Sequence, residues 1–76
     1  MEQKIKQDIH IGANIREIRK KNKLRQVDLV CLLQLQGMDI TREALVKIES
    51  GSQHIRASQL REIRDALETT YDELLK

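Results

Sequence analysis

Seventy-six residues suffice for one small core, and leave no room for a second domain or for the deep, walled pocket that small-molecule catalysis usually needs, so an enzyme is not expected. Proline is absent, glycine occurs three times, 34% of residues are charged and Tyr71 is the sole aromatic, a composition that favours helices and predicts an all-α fold. The net charge of +2 hides an asymmetry, because residues 1 to 25 carry eight Lys and Arg against three acids, whereas residues 57 to 76 carry three against five.

Taken in chain order, residues 1 to 8 read as an N-terminal arm and residues 9 to 76 as one five-helix domain. In the first helix Ile11, Ile15 and Ile18 fall at i, i+4 and i+7 on one face, with Arg16, Glu17, Lys20 and Lys21 outside or at its edges, and Asp8 is the expected cap. The second helix is expected from Gln26 to Gln34 or Gln36. Its apolar residues, Val27, Leu29, Val30, Cys31, Leu32, Leu33 and Leu35, surround much of the circumference and predict burial on several sides. Gly37 ends it, since glycine accepts the left-handed conformation common just past a helix.

Thr41 caps the third helix, expected over residues 41 to 50, with Ala44, Leu45 and Ile48 as its apolar stripe and Arg42, Glu43, Val46 and Lys47 on the other side. After Gly51 a loop carries Ser52, Gln53, His54 and Arg56. The fourth helix turns Leu60, Ile63, Ala66 and Leu67 inward. Thr70 and Glu73 then have capping-box spacing, starting a short fifth helix that buries Leu74.

A buried helix, a short glycine-containing turn and a Thr-capped helix with its polar side outward suit reading of a DNA major groove. In that frame Arg16, Arg19, Leu24, Gln26, Leu29 and Leu33, then Ile40-Thr41-Arg42, Leu45, Ile48-Glu49 and Gly51, resemble the phage-repressor and Cro-like (xenobiotic-response-element) helix-turn-helix family. The resemblance continues through Ile63, Ala66, Leu67 and Asp72-Glu73-Leu74-Leu75, and so runs roughly from Ile11 to Leu75. It implies a lambda-repressor-like domain that binds inverted-repeat duplex DNA as a homodimer and regulates transcription as a repressor, in the cytoplasm and on the nucleoid.

By that resemblance Arg42, Glu43 and Lys47 face base edges, where Arg or Lys can donate to guanine and Glu can accept from cytosine. Gln26 and Thr41 contact DNA phosphate, and Ser52, Gln53 and His54 lie along the backbone. Arg19 and Glu49, at the margins of the apolar faces of helices one and three, are expected to form a partly buried ion pair. Two departures stand out. The stretch Gln34 to Asp39 is longer than the family's usual connection, and Arg25 and Arg56 occupy cap positions although neither side chain can accept a hydrogen bond. Arg25 is then free to reach a phosphate while Gln26 or Asp28 supplies the acceptor.

The alternative is a protein-interaction module on the same fold, antitoxin-like or an anti-repressor partner, with the third helix meeting protein. Cys31, among apolar neighbours and without His or Cys at metal-ligand spacing, reads as a core residue, and His10 as a solvated one. No cofactor, metal or small-molecule ligand is expected. The longest apolar run, Leu29 to Leu33, is far below a bilayer span, so no membrane association is expected either.

Overall fold

The computed structural model describes residues 9 to 76, and these form five helices and no strand: α1 (Ile11–Lys21), α2 (Gln26–Leu35), α3 (Arg42–Ser50), α4 (Ala57–Leu67) and α5 (Tyr71–Leu74). The expected arm, with the Asp8 cap, lies outside the described residues; α1 starts after His10, whose side chain makes no capping bond. Among the described residues no helix is long and apolar enough to cross a membrane.

The helix ends show how the chain satisfies its free backbone groups. Thr41 Oγ1 accepts from the Ala44 N–H at 3.1 Å and Thr70 Oγ1 from the Glu73 N–H at 3.2 Å. At the two arginine caps the acceptor comes from three residues further on: Asp28 Oδ2 accepts the Arg25 N–H at 2.7 Å, and Gln59 Oε1 accepts the Arg56 N–H at 2.9 Å. The far ends of α1 to α4 close alike. The N–H groups of Leu24, Met38, Ser52 and Thr69 donate to carbonyls five residues back, each across a left-handed residue: Lys23 (φ 60°), Gly37 (φ 93°), Gly51 (φ 82°) and Glu68 (φ 52°).

Every helix contributes to the core. Ile15, Leu29, Leu33, Leu45, Ile63, Leu67 and Leu74 are completely enclosed, each worth roughly 1.5 to 3 kcal/mol relative to exposure. The long connection between α2 and α3 joins them by burying Ile40, while Gln34 Nε2 donates to the Ile40 carbonyl at 2.9 Å. Helix α1 packs on α3, α4 and α5, and α2 packs on α3 and α4. Asn14 Nδ2 donates to the carbonyls of Leu74 and Lys76, and Asn22 Nδ2 to that of Leu67, so α1 ties down the ends of α5 and α4.

Two expectations about α2 need correction. The helix buries one side only, through Leu29, Val30 and Leu33, and Cys31 is exposed instead of sitting in the core. Val27, Cys31 and Leu35, at i, i+4 and i+8, form an outward apolar stripe because neither α3 nor α4 covers that side.

The crossing of α1 over α3 depends on Gly12. A β-carbon there would sit 2.1 Å from the Ile48 carbonyl oxygen and 2.8 Å from that of Glu49, so the absence of a side chain lets the two backbones meet.

Candidate nucleic-acid interface

Leu45, Ile48 and Glu49 anchor α3 in the core, which leaves Arg42, Glu43, Val46, Lys47 and Ser50 exposed. At 100° per residue these five share one face about 140° wide. Arg42, Glu43 and Lys47 therefore stand on a helix surface that no other element of the described chain covers, and Thr41 sits at its start as a cap.

The orientation of α3 is fixed from beneath by Glu49. Arg19 grips it twice, Nε to Oε2 at 2.7 Å and Nη2 to Oε1 at 3.0 Å, with side-chain exposures of 7% and 3%. The pair is thus buried more deeply than its marginal helical positions suggest. Arg19 Nη1 also donates to the Leu24 carbonyl at 2.8 Å, and Gln26 Nε2 donates to Glu49 Oε1 at 3.2 Å. One carboxylate consequently joins α1, the α1–α2 turn, the start of α2 and α3. No buried side-chain nitrogen or oxygen among the described residues lacks a partner, as a buried ion pair requires.

Next to this cluster lies an open groove lined by Arg16, Arg19, Lys20, Lys23, Leu24, Arg25, Gln26, Val27 and Arg42. It contains six cationic side chains and no carboxylate. Arg16, Lys20, Lys23 and Arg42 form no ion pair among the described residues, so they remain available to an anionic partner. Geometry thereby divides the basic run of the sequence. Arg16 and Lys20 share a face of α1, Lys23 is directed by its left-handed turn, Arg19 is taken into the core pair, and Lys21 does not line the groove.

Arg25 occupies the rim in a different state. Its guanidinium folds back on Asp28, at 3.1 and 3.0 Å. Hydrogen bonding from this guanidinium, then from the Arg25 N–H, holds the Asp28 carboxyl below its ordinary pKa, and Asp28 in turn raises that of Arg25. Asp28 supplies the side-chain acceptor seen at this cap, taking the Arg25 N–H, the reciprocal half of a capping box. Gln26 itself spends one amide N–H on Glu49, leaving its other N–H to donate to an anionic partner.

Ser52, Gln53 and His54 do not join the basic groove. Gln53 and His54 line a second groove with His10, Gly12, Ser50 and Gly51, beside the start of α1. The N–H groups of Ser52 and Gln53 are spent on the Lys47 carbonyl, and the Ser52 hydroxyl lies 2.6 Å from that of Ser50. Helix α3 thus runs from one groove, lined by its first residue Arg42, to the other, lined by its last residue Ser50. Among the described residues no cluster of His, Cys, Asp or Glu is arranged to hold a metal ion.

Set against known proteins, the chain matches no family model, no curated protein and no solved structure.

Proposed function

We propose that this protein is a sequence-specific duplex-DNA-binding regulator of the phage-repressor and Cro-like type, a repressor that acts by occupying operator DNA. The observation that carries the reading is the exposed face of α3, with Arg42, Glu43 and Lys47, set against a groove in which four of six cations, Arg16, Lys20, Lys23 and Arg42, form no ion pair among the described residues. B-DNA's major groove is about 12 Å wide and admits a helix, and phosphates pass on either side of a helix seated there. Neutralising four phosphates would give a log–log salt slope of about −3.6. Selection of random duplexes by the purified protein at low salt tests the reading; failure to enrich any motif would overturn it.

The stripe of Val27, Cys31 and Leu35 favours a second reading, a protein-interaction module on the same fold, since adjoining exposed apolar residues mark contact surfaces. A partner held mainly by that stripe would bind with little dependence on salt.

Under the DNA reading the mutants should differ in kind. Lys47→Ala should relax preference at particular base pairs by about 1 to 3 kcal/mol, whereas Gln26→Ala should weaken cognate and scrambled duplexes alike. Equal, uniform losses in competition binding would refute that division.

Lys23 offers a test in which stability and binding move in opposite directions. A left-handed conformation costs a side chain roughly 1 to 2 kcal/mol, a cost glycine avoids. Lys23→Gly should therefore raise the melting temperature while lowering duplex affinity and reducing the salt slope by about 1. Glu68→Gly, at the equivalent turn after α4, should raise stability and leave binding unchanged. A Lys23→Gly protein with undiminished affinity would remove Lys23 from the interface.

A single α3 offers too few contacts for useful selectivity in a genome, which favours a two-fold dimer on an inverted repeat. Tyr71 and Leu75 are 38% and 37% exposed at α5, and Tyr71 also lies under the Arg64 guanidinium at 4.6 Å. This surface provides the apolar contact. Half-site centres are then expected about 10 base pairs apart, and a stoichiometry titration should find two protomers per site, with weaker binding to an isolated half-site.

A further inference from the structure

On the exposed face of α3, Val46 is the one residue that can neither donate nor accept a hydrogen bond through its side chain. It is 39% exposed and does not belong to the hydrophobic cluster that holds the helices together. It follows Arg42 by four residues and Glu43 by three, and precedes Ser50 by four, so these side chains surround it at the centre of the face. Isolated exposed apolar residues are common on protein surfaces. This one is β-branched, a poorer helix former than alanine, at a position where packing inside the protein makes no demand for its shape.

A duplex offers one apolar group in its major groove, the 5-methyl of thymine. We propose that Val46 is a specificity-determining residue that packs on a thymine methyl, within the few base pairs whose polar edges meet Arg42, Glu43 and Lys47. The inference rests on the duplex-DNA reading and adds to it a chemical constraint on the operator. Each half-site contains an A·T pair with its thymine methyl toward the centre of α3, beside G·C pairs whose guanine accepts from Arg42 or Lys47 and whose cytosine donates to Glu43. The neighbouring charges cannot make this distinction, because a methyl offers them nothing to bond.

The experiment uses the duplex enriched by the wild-type protein, with each thymine of the half-site replaced in turn by dU, which lacks only the methyl. Wild-type protein and Val46→Ala are titrated against the set. Val46→Ala should fold normally, with an unchanged or raised melting temperature, because the site is exposed and alanine is the better helix former. Loss of one buried methyl contact corresponds to roughly three- to tenfold in affinity. One particular dU substitution should therefore weaken wild-type binding by about that factor, while Val46→Ala binds the thymine duplex correspondingly more weakly and ignores the substitution. A half-site without thymine, a wild-type protein indifferent to every dU, or a dU penalty that persists undiminished in Val46→Ala would each overturn the proposal while leaving duplex recognition intact. Absence of any enriched motif would instead overturn the DNA reading, and this inference with it.

Discussion

Glu49→Ala is expected to leave much of the protein unfolded at room temperature. The substitution strands the Arg19 guanidinium, whose side chain is 7% exposed, with the Leu24 carbonyl as its remaining acceptor, and it also frees Gln26. Removing one partner of a buried ion pair costs about 3 to 5 kcal/mol. A domain of this size without a disulfide has a total stability of roughly 3 to 5 kcal/mol, so the two quantities are comparable. The midpoint of thermal unfolding should fall by about 15 °C or more, read by circular dichroism. A fall of less than about 3 °C would show that the pair is not sustaining the fold. The paired replacement Arg19→Met with Glu49→Leu separates charge from shape. It leaves no buried charge uncompensated and should recover most of the loss.

Gly12→Ala should destabilise, opposite in sign to what helix propensity alone predicts. In an unobstructed helix the change would gain about 1 kcal/mol. Here the new β-carbon meets two backbone oxygens, at 2.1 and 2.8 Å, which cannot rotate away as a side chain could. Helix α1 must therefore lift from α3, straining the Arg19–Glu49 geometry and the packing of Ile15. Overpacking of this kind typically costs 1 to 3 kcal/mol and sometimes more, so after the propensity gain a net loss of about 1 kcal/mol or more is expected. Urea unfolding measures it, and a raised midpoint would mean that the helices are not in close approach.

The sequence reveals helix positions more clearly than burial. Apolar spacing located α1, α3 and α4, each of which turns a stripe inward, while Gly37 marked the end of α2 and the Thr70–Glu73 capping box the start of α5. For α2, however, seven apolar residues in ten suggested cover on several sides, and composition does not say how many neighbours a helix has. With α3 and α4 both on one side, Val27, Cys31 and Leu35 remain outside. The basic run shows the same limit: apart from Arg19, which the resemblance already paired with Glu49, its members look alike until the left-handed turn at Lys23 and the fold of Arg25 onto Asp28 separate them. The importance of Gly12 is invisible to periodicity, since it arises from a helix far away in the chain. That Gln53 and His54 share a groove with the start of α1, apart from the basic groove, is likewise set by the turn after Gly51 and not by any local pattern.

The hooks that Asn14 throws to Leu74 and Lys76 span sequence separations of 60 and 62 residues, and they bear on the order of assembly. Contacts among α2, α3 and α4 close shorter loops, with a smaller entropic cost, than those joining α1 to α4 and α5. On loop length the docking of α1 against α5 is then expected late, with those contacts largely absent from the transition state for folding. Asn14→Ala, which removes them, should accelerate unfolding far more than it slows folding. Because α1 provides Arg16, Arg19 and Lys20, a chain that had assembled α2 to α4 without it would have its third helix in place but half of its cationic wall missing.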